Sequence, residues 1–130
     1  MRTTLTHQST LLALLLCCGV LSLDAAQDKS AKNPVAPAPE SLAAGQRVYL
    51  RYCASCHGAN GEGGSGNDLI PAAPDLTDKE WKHGSSDGEI FGVIKDGVPP
   101  DLNMVPFKDQ ISDADIWNVV NYLRSIAKKN

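Results

Sequence analysis

Cys53-Ala54-Ser55-Cys56-His57 is the stretch on which the reading of this chain turns. In a Cys-x-x-Cys-His run each thiol can add to one vinyl group of a haem, giving two thioether bonds. The adjacent histidine is then placed to coordinate the iron through an imidazole nitrogen. The two-residue spacing lets both sulfurs reach one edge of the macrocycle. Three other chemistries use parts of the same run. A thioredoxin-like redox pair shares Cys-x-x-Cys but belongs beside a βαβ pattern, and no such pattern is legible. A zinc site wants four ligands, and beyond residue 26 the thiols and imidazoles are Cys53, Cys56, His57 and His83, with no second cysteine pair. A structural disulfide is chemically possible in an oxidising compartment but leaves His57 without a role. Covalent haem on Cys53 and Cys56, with iron on His57, uses all three residues.

An iron that passes electrons rather than binding gases needs a second axial ligand. Beyond residue 1 the chain has one methionine, Met104. A lone methionine is ordinarily a filler of core gaps. Met104 instead lies off any helical stripe, in a loop stiffened by Pro99, Pro100 and Pro106, and such a loop can hold a side chain against one face of a haem. His83 is the competitor, although the polar stretch Lys82-His83-Gly84-Ser85 reads as solvent-exposed. With imidazole on one face and thioether on the other, no position stays open for a substrate. That arrangement raises the potential and suits outer-sphere electron transfer, so the expectation is an electron carrier or electron-transfer subunit, not an enzyme. The rival class is a haem enzyme or gas binder with Met104 off the iron. Gas binders of the cytochrome c′ kind carry the attachment motif near the C-terminus of a four-helix bundle, whereas here more than half the chain follows His57.

Working outward, the 130 residues are 42% hydrophobic and 21% charged, with a net charge of −3. That is the mixture of one soluble domain, and it offers no case for nucleic acid or an anionic membrane as partner. Leu11 to Leu23 is apolar and follows a short opening segment with Arg2 and His7. It falls short of the ~20 residues a membrane span requires and suits the hydrophobic part of a secretory signal. Residues 1–26 are therefore read as a signal peptide with an approximate cleavage point, and the compartment as the periplasm, with no stable membrane span. Cys17 and Cys18 end a leucine run and admit a lipid anchor. Leu16 stands where a small residue would be wanted, so export with cleavage is preferred. Residues 27–39 are rich in Ala, Pro and Lys and lack periodicity, which predicts a flexible, solvated lead-in. Residues 40–130 form the domain.

Within that domain the pattern predicts helices. Leu42, Gly45, Val48, Tyr49 and Tyr52 fall at spacings of three and four, giving a helix from Ser41 to about Tyr52. Ser86 with Glu89 reads as a capping box opening a short helix through Ile90, Val93 and Ile94, stopped by Gly97. Ser112 with Asp115 is a second capping candidate. Ile116, Val119, Val120 and Leu123 then repeat at i, i+3, i+4 and i+7, with Lys128 and Lys129 near the C-terminal end. Gly58 to Thr77 is glycine- and proline-rich and reads as loop.

Taken together, GQRVYLRYCASCHGANGEG, APDLTDKEW, HGSSDGEIFGVIKDGVPP, NMVPF and SDADIWNVVNYLRSI occur in an order and spacing that resembles the class I c-type cytochromes, in particular small bacterial monohaem ones. The resemblance covers about Glu40 to Ile126. It implies an all-α, compact cytochrome c-like fold around one covalently attached haem c and its iron. The first and last helices would cross near Gly45 and Tyr49 on one side and Val119 and Tyr122 on the other. It implies a backbone carbonyl at Pro71 or Pro74 accepting from the His57 imidazole, an arrangement that orients the ring. Relatives often place proline directly after the ligand methionine, and here Val105 intervenes. The implied partners are redox proteins met transiently: a periplasmic dehydrogenase or other reductase as donor, an oxidase or other terminal acceptor.

Overall fold

A computed structural model describes residues 28–64, 71–100 and 103–128. The apolar segment with Cys17 and Cys18, read above as a signal, lies outside the described residues. Four helices form: α1 (Pro39–Tyr52), α2 (Ala54–His57), α3 (Asp87–Asp96) and α4 (Asp113–Ile126). There is no strand among the described residues, so the fold is all-α, as the helical periodicities predict. None of these helices is long and apolar enough to cross a membrane.

The helix boundaries follow local chemistry. Pro39 starts α1 two residues before the predicted Ser41, since proline at the first helical position has its φ preset and no N–H to satisfy. In α3 the predicted capping box is complete: Ser86 accepts from the Glu89 N–H, and the Glu89 carboxylate accepts from the Ser86 N–H. In α4, Ser112 accepts from the Asp115 N–H at 3.1 Å.

Packing joins the two ends of the chain. A Cβ at Gly45 would collide with the Asn118 carbonyl and the Tyr122 Cβ. Only glycine lets α1 and α4 approach this closely, as expected from the resemblance. Tyr49 meets Tyr122 across the crossing, with ring centroids 5.3 Å apart. One detail differs. Leu42, expected on the buried stripe, is half-buried, and Ser41 takes the inner position instead. Its hydroxyl donates to Asn118 Oδ1 at 2.7 Å and accepts from Asn121 Nδ2 at 2.9 Å. A polar pair across the crossing outcompetes leucine there because α4 presents Asn118 and Asn121 to it. α3 closes the core from another side, with Phe91 stacked on Trp117 at 4.1 Å between centroids.

The lead-in corrects the expectation of a solvated segment. Asn33 Nδ2 donates to the Trp117 carbonyl and to Asn121 Oδ1, both at 2.9 Å. Asn121 Nδ2 donates to the Val35 carbonyl at 3.0 Å, and Ser86 Oγ to the Lys29 carbonyl at 2.7 Å. Residues 28–38 form no helix or strand, and the lead-in's last residue, Pro39, already belongs to α1, yet the segment is tied to both α3 and α4. The Asn121 side-chain amide on α4 and the Ser86 hydroxyl satisfy its backbone carbonyls, a kind of partnership that leaves no periodic signal.

Candidate haem site

The motif sits where α1 gives way to α2. The Cys53 N–H still bonds the Tyr49 carbonyl at 2.8 Å, and the Cys56 and His57 N–H groups turn back to the Cys53 carbonyl at 3.1 and 2.9 Å. Cys53 and Cys56 therefore stand three residues apart on helical backbone, where i and i+3 share a face. Gly58 ends the turn at φ 81, left-handed backbone that favours glycine. Both thiols are free, Cys53 buried and Cys56 half-buried. Burial, with Cys56 adding to it, pushes the Cys53 thiol up to about 12. A redox-active cysteine needs a lowered pKa, so this environment and the lack of strands among the described residues both speak against a thioredoxin-like pair.

His57 is buried, with 7% of its surface exposed. Its Nδ1 lies 3.1 Å from the Pro74 carbonyl. A carbonyl can only accept, so Nδ1 carries the proton and Nε2 presents its lone pair. Burial pushes the ring's pKa down, against the Pro74 bond, and keeps it neutral. Pro74 is thus the acceptor among the two prolines considered. Nε2 has no hydrogen-bond partner among the described residues. A buried, neutral, pre-oriented imidazole nitrogen without a partner is what a metal ligand requires.

Met104 is half-buried and packs against the core cluster that contains Cys53. Its loop is fastened to the end of α3. The Val98 N–H bonds the Met104 carbonyl at 2.9 Å, and the Phe107 and Lys108 N–H groups bond the Ile94 and Lys95 carbonyls at 3.1 Å. Phe107 also meets Tyr52 edge-on at 6.2 Å, linking the methionine loop to the residue before Cys53. His83 is exposed, as its polar neighbours predict. Among the described residues no three His, Cys, Asp or Glu side chains gather as a metal-ion site. Two thiols on one helical face, a buried imidazole with a free nitrogen and a thioether against the same core do fit an iron porphyrin. Sequence reading took Tyr49 as packing alone and missed its hydroxyl, which donates to the Gly58 carbonyl at 2.7 Å; its aromatic ring on a helical stripe carried no signal for that bond.

This all-α arrangement around a Cys-x-x-Cys-His turn is that of a c-type cytochrome domain. The chain belongs to the family described as cytochrome C oxidase, cbb3-type, subunit III, which matches residues 40–123. It is 33% identical over 90 residues to the cbb3-type cytochrome c oxidase subunit CcoP of Rubrivivax gelatinosus, an alignment covering 68% of this chain and 27% of that protein. The chain thus spans about a quarter of that relative's length. Among solved structures, the KustC0563 c-type cytochrome superposes with a TM-score of 0.53 and 31% identity, covering 65% of this chain and 98% of that one. Cytochrome cL from Methylophaga aminisulfidivorans MPT, 23% identical, shares the fold with a TM-score of 0.57 over 68% of this chain and 55% of its own. The cofactor of such a domain is haem c, an iron porphyrin held covalently, and its work is electron transfer.

Proposed function

We propose that this chain is a periplasmic carrier of single electrons. Its one haem c is bonded to Cys53 and Cys56 and ligated by His57 and Met104. Donor and acceptor are proteins: a dehydrogenase or other reductase on one side, an oxidase or other terminal acceptor on the other. The observation that carries the reading is the His57 Nδ1–Pro74 carbonyl bond, which frees Nε2 as a donor and fixes the ring in one orientation. When bound, haem supplies an iron whose charge changes by one unit. Everything else falls to this chain's residues. Cys53 and Cys56 hold the group in place. Pro74 keeps the His57 ring from turning, and the bonds from Val98, Phe107 and Lys108 keep the Met104 loop from moving between oxidation states. Docking on partners is weak and uses a small interface, as electron-transfer encounters do. Export is supported by the apolar run from Leu11 to Leu23.

A second placement, as an electron-transfer subunit of a larger complex, is favoured by the similarity to an oxidase subunit. Co-purification from the native source with the oxidase or reductase left attached separates the two.

Met104→Ala tests the reading directly. The variant should lose the weak red-end band of methionine–iron ligation and show a lower reduction potential, since a thioether favours reduced iron. Its reduced form should bind carbon monoxide readily, while the parent and a His83→Ala control resist it. Rapid binding of carbon monoxide by the parent would remove Met104 from the iron and put gas binding or catalysis in place of electron carriage.

A further inference from the structure

Tyr49 is fully buried at the α1–α4 crossing, where a phenylalanine would fill the same space. Its hydroxyl nevertheless donates to the Gly58 carbonyl at 2.7 Å, while its own carbonyl accepts from the Cys53 N–H at 2.8 Å. One residue thus grips the Cys53–His57 turn at both ends. Beyond Gly58 the chain is closed back on that turn. The Gly63 N–H bonds the His57 carbonyl at 2.9 Å, the Leu76 N–H bonds the Gly61 carbonyl at 2.7 Å, and the Gly64 N–H bonds the Ala73 carbonyl at 2.9 Å. The last two bonds bracket Pro74, whose carbonyl meets His57 Nδ1. The Tyr49 hydroxyl and the Pro74 carbonyl therefore hold neighbouring residues of one turn from two sides. A buried hydroxyl with one well-made bond keeps that geometry because breaking it strands both polar groups away from water.

We infer that the Tyr49 hydroxyl is a positioning group for the imidazole. By fixing the Gly58 carbonyl it holds the His57 ring at hydrogen-bonding distance from Pro74, and thereby sets the ring's donor strength and the reduction potential. This rests on the reading of His57 as iron ligand and adds a residue to it. A firm N–H···O bond makes the ring a stronger donor and favours oxidised iron, so loosening it raises the potential.

The experiment is Tyr49→Phe in the haem-loaded chain, with Tyr122→Phe as control for the neighbouring ring. In the oxidised parent, the His57 ring protons should carry paramagnetic shifts. Their absence overturns the ligation reading itself, whatever Tyr49 does. In Tyr49→Phe the same protons should move, and the potential should rise. The Nδ1 proton should exchange with solvent about fivefold faster, the factor matching about 1 kcal/mol for one net hydrogen bond. Tyr122→Phe should leave all three readouts at parental values. A lower melting temperature with unchanged shifts, exchange and potential makes the hydroxyl a structural tie and overturns the inference. Should Tyr49→Phe fail to take up haem, the parent decides alone: a Tyr49 hydroxyl proton and a His57 Nδ1 proton that exchange at one common rate support the inference, and an Nδ1 proton that exchanges independently of the hydroxyl overturns it.

Discussion

Asp75 follows the proline that holds His57, and its own bonds make the clamp sensitive to acid. The Thr77 side chain and backbone N–H both donate to it, and Lys128 Nζ lies 2.9 Å from its other oxygen. Thr77 first, then Lys128, hold the carboxyl down to about 2. An unfolded aspartate titrates near ~3.9. Because the folded value is the lower one, the stabilisation is fully present above the unfolded value and is lost as pH falls toward about 2. Asp75→Asn should therefore flatten the dependence of melting temperature on pH below about 4, where the carboxylate begins to protonate. Equal slopes for parent and variant would place the acid sensitivity elsewhere. Some of this was legible from residue types: the spacing of Cys53, Cys56 and His57 points to covalent haem. The acid-sensitive tie was not, because Lys128 comes to Asp75 only through folding.

At the scale of elements, α1 and α4 meet through a polar network as well as through Gly45 and Tyr49. Asn121 is buried and serves two segments at once: it accepts from Asn33 and donates to the Val35 carbonyl and the Ser41 hydroxyl. Asn121→Ala leaves these groups short of partners inside the fold and should cost about 1–3 kcal/mol, measured by denaturant unfolding. Deleting residues 28–37 should likewise lower the melting temperature, by contrast with what a solvated lead-in predicts. An unchanged transition in both variants would mean that the segment does not pack in solution. Helix starts were readable because a cap is a matter of three neighbouring residues. The lead-in misread for the opposite reason: its partners lie on α3 and α4, and its own composition resembles that of a linker.

The whole molecule is small, and a domain of this size buries apolar surface sparingly unless something is added to its core. Haem c would be that addition, placed against Cys53 and the cluster on which Met104 packs. Cys53→Ala together with Cys56→Ala should abolish covalent haem on a stained denaturing gel. The same variant should lose helicity and melt earlier by circular dichroism, since the core then lacks its largest component. Full haem staining would refute attachment at these positions. A parental melting curve without haem would show that the helices need no cofactor.

What the sequence determined by itself was chemistry and local geometry. Five consecutive residues state how a haem can be attached, and caps and apolar spacing state where the helices run, because both depend on neighbours a few positions apart. Tertiary structure alone decided which proline faces the histidine, 17 residues away, and that Asn33 ties to Asn121 across 88 residues. It alone decided that the Tyr49 hydroxyl has a carbonyl to hold. These outcomes depend on where backbone carbonyls point once the chain is closed, and a carbonyl is common to every residue, so no letter of the sequence marks it.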